Sequence, residues 1–148
     1  MGKFIQGDYT VVNKEKYIGN VHKVRYLSSW ELVIMKFFDH NSNIIKWSSE
    51  SVIVKYYSPI DQRQRRYMVD FFVQYKNAKG EIIKELLEVK PRKETIKPVS
   101  KRGKKKSTYL KEVYTWNVNI AKWAAAQKYA KERGMTFRII DETHIFNN

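Results

Sequence analysis

Two acidic residues and a lysine, set in otherwise apolar segments, are the residues whose types and spacing could carry a reaction. Asp70 interrupts Tyr67-Met-Val-Asp70-Phe-Phe-Val73, and Glu88 stands two residues before Lys90 in Leu86-Leu-Glu88-Val-Lys90. Both segments are apolar at both parities, which predicts strands covered on two faces, with Asp70 in mid-strand and shut off from water. An ionised carboxylate there is costly unless a cation or several donors compensate it. Strand residues i and i+2 share a face, so Glu88 and Lys90 point the same way. A hairpin through the Asn77–Gly80 turn sets Asp70 beside Glu88. Two carboxylates a few Å apart repel unless a divalent cation lies between them, and such oxygen donors suit Mg²⁺, with Mn²⁺ as a substitute. A lysine beside that ion can orient an attacking water or stabilise charge on a phosphate. These are the parts of metal-assisted phosphodiester hydrolysis. The competing structural reading is an Asp held by an arginine.

The elements that must position these residues follow from periodicity. Trp30, Val33, Ile34, Phe37 and Phe38 mark one face of a helix over Ser28–His40, with Ser28 as its N-cap. Strands are expected over Val52–Tyr57, Arg66–Tyr75 and Ile82–Lys90, joined by turns at Ser58–Asp61 and Asn77–Gly80, hence antiparallel. A second helix spans Thr115–Arg133 and stops at Gly134; the strand Thr136–Ile140 that follows a helical crossover should run parallel to a neighbour. The expected fold class is α/β, a mixed central sheet flanked by helices. Residues 1–20 read as an irregular arm and 21–148 as one domain.

Composition sets the outer bounds. The chain has 148 residues, a net charge of +14, 43% hydrophobic residues and no cysteine. That is one ordinary domain able to bury its own core. Disulfide scaffolds, thiolate nucleophiles and Cys-ligated zinc are excluded. No stretch approaches the apolar length of a membrane span, so no membrane partner is expected. The charge is concentrated: residues 90–111 hold ten basic side chains and one acidic one, or +9 of the +14. A basic loop at 91–108, mobile and exposed, is the expected contact for DNA through Arg92, Lys93, Lys101, Arg102, Lys104, Lys105 and Lys106, with Arg66 ahead of the Asp70 strand as a further phosphate ligand.

Asp70 followed by Glu88-Val-Lys90 resembles the PD-(D/E)xK nuclease signature, and the element order matches the αβββαβ core of restriction-endonuclease-like folds, although Val69 stands where that motif has proline. Tyr26-Leu-Ser-Ser-Trp-Glu31-Leu, Ser58-Pro-Ile-Asp61, Arg66-Tyr-Met-Val-Asp70-Phe and Glu88-Val-Lys90-Pro91 together resemble the head completion nucleases of T4-type bacteriophages, and more distantly the TnsA-type transposon endonucleases. The resemblance spans about Tyr17 to Ile140; the basic insert from Lys93 to Lys106 matches least. It implies a Mg²⁺-dependent DNA endonuclease with Asp70, Glu88 and the backbone carbonyl of Val89 on the metal and Lys90 beside the nucleophile.

The resemblance also implies a site role for Glu31, although Ser28-x-x-Glu31 is equally a capping box in which Glu31 reaches back to the Ser28 N–H. Asn119 and Lys122 are auxiliary candidates on the second helix, whereas Trp30, Trp116 and Trp123 sit at core spacing. The biology implied is processing of packaged DNA before head and tail join. Portal or neck proteins would be the partners, and the host cytoplasm or the virion the location. A non-catalytic DNA-binding head-joining protein and a transposon-end or junction-resolving nuclease are the alternatives.

Overall fold

The computed structural model describes residues 5–146, so the first four residues of the expected arm and the last two of the expected domain lie outside the described residues. In chain order the elements are β1 (Gly7–Asp8), β2 (Arg25–Tyr26), α1 (Ser29–His40), β3 (Ile44–Ser49), β4 (Ile53–Ser58), β5 (Arg63–Met68), β6 (Phe71–Lys76), β7 (Ile82–Val89), α2 (Lys106–Glu132), β8 (Thr136–Ile140) and α3 (Glu142–Phe146). The architecture is mixed α/β. A four-stranded sheet has the order β3-β6-β7-β8, and its two central strands carry Asp70's neighbours and Glu88. β6 runs antiparallel to β3 and β7, while β8, reached through the α2 crossover, lies parallel to β7 as its position in the chain requires. Among the described residues no helix is long and apolar enough to cross a membrane.

α1 begins where its cap residue sits. The Ser28 hydroxyl accepts the Glu31 N–H at 3.2 Å, satisfying one of the amides that the first turn leaves without a partner. Ser28→Ala is expected to cost about 1 kcal/mol of folding free energy, read from urea denaturation. The helix buries Trp30, Ile34, Met35 and Phe38 against the sheet, together with Glu31 and Asp39. Val33 and Phe37, expected on that face, are exposed instead, because the contact stripe is rotated toward Met35 and Asp39.

Two apolar layers cover the central strands. On one face Trp30, Met35 and Phe38 of α1 pack on Trp47, Phe71, Val73, Leu87 and Val89; on the other Trp123, Ala126 and Ala130 of α2 pack on Val54, Tyr67, Val69 and Leu86. The alternation along β7 therefore puts Leu86, Glu88 and, one step on, Lys90 toward the α2 side. Tyr9 and Val11 from the arm join the α1 layer, so this segment is anchored in the core although it has little regular structure.

The expected strand over Arg66–Tyr75 is two strands. β3–β4 and β5–β6 pair as one long ribbon that bends between Ser49 and Ile53 on one side and Met68 and Phe71 on the other. Ser49 pairs with Phe71 but Ile53 pairs with Met68, so the first side holds one extra residue. Glu50 takes up the irregularity at φ 52°, with its N–H on the Asp70 carbonyl at 3.0 Å. A bulge of this kind bends a strand and re-aims a side chain. Asp70 consequently stands at the bend and is half-buried, not sealed in mid-strand.

α2 starts at Lys106 where the periodicity suggested Thr115, because its first turns overhang the core and bury nothing before Asn119. The lysine, leucine and glutamate of that stretch favour a helix without leaving an apolar stripe. The helix ends as Gly134 predicts. Gly134 adopts φ 70°, its N–H reaches the Lys131 carbonyl at 3.3 Å, and the Met135 N–H reaches that of Ala130 at 2.8 Å, which is a Schellman closure.

Candidate active site

The β6–β7 register sets the central pair. Phe71 lies opposite Leu87, the outermost pair of the ladder, and the next position brings Asp70 against Glu88. The Val89 N–H donates to Asp70 Oδ2 at 2.8 Å, which fixes that carboxyl on the end of β7. Neither Asp70 nor Glu88 forms a salt bridge with any described residue. Glu85, on the same strand, supplies the contrast: it is buried and held by Arg138 Nη2 at 3.0 Å and the Thr136 hydroxyl at 3.3 Å. This is how the fold treats a carboxylate whose role is structural. Burial, and then the neighbouring Glu88 carboxylate, push the Asp70 carboxyl well above the usual range, so the pair lacks positive charge.

Glu31 makes a capping-type contact at the start of α1. Its carboxylate takes the Leu27 N–H at 3.2 Å, one residue before the amide expected from the capping-box pattern. It also approaches the acidic pair from the α1 side. Burial raises its pKa, the Leu27 N–H opposes that, and Glu50 and Glu88 add to the rise. Glu50 is a fourth carboxylate at this end of the sheet and was not anticipated, since no strand or helix period singles it out. No group of three or more acidic or histidine side chains among the described residues is arranged to hold a metal ion by itself. Asp70 and Glu88 are the adjacent oxygen donors at this end of the sheet that could contribute to one. Lys90 follows on the same strand face as Glu88, half-buried, with its N–H on the Ile140 carbonyl at 3.0 Å.

On the α2 side, the Tyr67 hydroxyl is buried near Glu88, and burial, followed by the charges of Glu88 and Asp70, drives its pKa upward. Lys122 lies over the Tyr67 and Tyr56 rings at 5.5 and 5.9 Å, an aromatic seat for its ammonium. Tyr67 was also missed: three residues before Asp70, it reads in the sequence as ordinary strand apolarity.

The basic residues fall into separate places. Lys93, Lys101 and Lys104 line a cleft against α2 that Asn119 also lines, whereas Arg66 lies exposed on β5. Arg92, exposed, begins a 3₁₀ turn over Arg92–Thr95, and its N–H is tied to Glu142 of α3 at 2.7 Å. Arg102 is exposed, and Lys105 and Lys106 form the N-terminus of α2. Trp30 and Trp123 are core residues, but Trp116 is only half-buried, edge-on to Trp123.

A family model described as the N-terminal part of TnsA-like endonucleases matches residues 41–142, the segment that contains every strand of the central sheet. The Head completion nuclease of Enterobacteria phage T4 is 37% identical over 139 residues, which cover 92% of this chain and 90% of that protein.

Proposed function

The chain belongs to the TnsA-like endonuclease family, and from that membership we propose that it is a divalent-metal-dependent nuclease that hydrolyses DNA phosphodiester bonds during phage head completion. The observation that carries the reading is the Asp70–Glu88 pair: two adjacent carboxylates without an arginine, on the strand face that Lys90 shares. A structural pair would carry its counter-charge, as Glu85 does. Their hard oxygen donors fit Mg²⁺ or Mn²⁺, with the Val89 backbone carbonyl as a third ligand. Such an ion supplies Lewis-acid activation of water and of the scissile phosphate.

The chain's own groups do the rest. The Val89 N–H holds Asp70 toward Glu88, so that both carboxylates face the phosphate together. Lys90 orients the attacking water and stabilises charge developing on the phosphate oxygens. Glu31 and Glu50 keep this end of the sheet acidic and reach the site through water. Arg66, Arg92, Lys93, Lys101, Arg102, Lys105 and Lys106 hold the DNA backbone, a contact that is insensitive to sequence and weakened by salt, while Lys104 is taken up by Glu112. The substrate is packaged DNA at a filled head, portal or neck proteins are the docking partners, and the host cytoplasm and the assembling virion are the places of action.

Supercoiled plasmid with Mg²⁺ or Mn²⁺ should be nicked and linearised by the wild-type protein and left intact in EDTA. Lys90→Ala should bind the plasmid but cut it about a hundredfold more slowly. Wild-type protein that binds and never cuts under any divalent ion would leave a DNA-binding head-joining protein as the better reading.

A further inference from the structure

Immediately beyond Lys90 the chain does not run free. Residues 93–104 fold back along the overhanging first turns of α2 and enclose an open cleft of about 650 Å³. Lys104 holds the two sides together, its ammonium donating to the Val99 carbonyl at 2.9 Å and to Glu112 of α2 at 2.7 Å. The shape is therefore built, and it begins three residues from Lys90.

The chemistry of the lining is mixed in a specific way. Lys93, Lys97 and Lys111 supply positive charge at the rim, while the walls are Ile96, Val99 and the half-buried Trp116. Asn119 also lines the cleft and is 5% exposed, and among the described residues no side-chain hydrogen bond engages its carboxamide. A groove that only tracks phosphates needs the lysines and nothing else. Apolar walls, an indole face and an unpartnered buried carboxamide together suit a flat ring with polar edges attached to an anion, which describes a nucleotide. In a duplex the base edges are paired and both faces are stacked, so only an unpaired base can enter.

We propose that this cleft is a subsite for one unpaired nucleotide of the DNA, next to the scissile phosphate held at the acidic pair, with the base against Trp116, its edge on Asn119 and its phosphate at the lysine rim. The proposal rests on the nuclease reading and adds the substrate class: single-stranded or frayed ends and flaps in preference to continuous duplex. It also gives the basic segment a task beyond charge, since the segment forms one wall of the pocket.

The tryptophans make the test direct. Trp30, Trp47 and Trp123 are 9%, 0% and 6% exposed, so Trp116 alone among the four is open to a stacking base. In EDTA, a short oligothymidine strand should quench the intrinsic fluorescence of the wild-type protein, and a blunt duplex of the same length should bind with little quenching. Trp116→Phe should lose the quenching while still binding. Asn119→Ala should weaken single-strand affinity about fivefold, with duplex affinity unchanged and the thermal melt confirming the fold. Single-strand binding without quenching, or equal quenching by strand and duplex, would overturn the subsite and leave the nuclease reading standing. Absence of binding to either DNA at low salt would overturn both.

Discussion

Asp70→Asn should bind DNA with wild-type affinity and cut it at least about a thousandfold more slowly, the scale expected when a group that acts only in the transition state is removed. The replacement keeps the size of the side chain and an oxygen to accept the Val89 N–H, so the bend between β5 and β6 survives. What disappears is one of two negative charges. The same substitution separates the catalytic from the structural reading through stability. Asp70 has a raised pKa in the folded chain, so the stability linked to it is fully present in acid, below the ordinary carboxylate value of about 4, and is lost as pH rises through the folded value. Without divalent ions, wild-type protein should therefore weaken from pH 5 to pH 8, and the variant, free of the clash with Glu88, should be the more stable of the two at pH 8. Added Mg²⁺ should stabilise the wild type and leave the variant unmoved. Denaturant titrations at the two pH values, with EDTA or Mg²⁺, read all of this. A variant that unfolds more readily at every pH would make Asp70 a structural carboxylate.

The Asp70–Glu88 pairing was legible because it depends on two robust signals, strand alternation and a turn whose Asn77 and Gly80 suit a tight reversal; Gly80 indeed sits at φ 80°. The Ser28 cap, the Gly134 stop and the parallel direction of β8 were legible for similar reasons, each resting on a local rule that tertiary packing reinforces. β3 was not, because Lys46, Ser48 and Ser49 break its alternation, and its burial comes from neighbours distant in sequence. Glu50 could not be found in principle from periodicity: its importance comes from a bulge and a left-handed backbone that glutamate rarely adopts. The start of α2 was hidden because an overhanging helix buries nothing and so writes no apolar stripe. That same overhang made the basic segment read as a free loop, when Lys104 pins part of it against Glu112.

Asp39→Ala should be the most damaging single change to stability, about 3–5 kcal/mol, or a melting point lower by roughly 6–20 °C for a chain of this size. Asp39 occupies the last turn of α1, where the helix dipole disfavours an anion, and it is fully buried. Its carboxylate accepts the Tyr9 hydroxyl at 2.7 Å, the Val12 N–H at 2.8 Å and the Asn13 N–H at 2.9 Å, while its carbonyl takes the Asn13 amide at 2.6 Å and Lys16 at 3.0 Å. Burial works to raise this carboxyl, but the bonds from Val12, Tyr9 and Asn13 outweigh it and hold the pKa below the usual value. The alanine variant strands three donors at once and releases the segment that carries Tyr9 and Val11 into the core, so limited proteolysis should cut it first before residue 20. An asparagine in place of Asp39 would keep an acceptor but turn an amide against one donor, so Asp39→Asn should fall between wild type and alanine. Because the Asp39 pKa is lowered, its contribution is present above about pH 4 and lost as pH falls through the folded value, opposite in sign to that of Asp70. Acid denaturation should therefore be shallower in Asp39→Ala than in wild type, while the loss of stability toward alkaline pH persists. An unchanged acid slope with lowered stability would assign the anchoring to the packing of Tyr9 and Val11 and not to the buried charge.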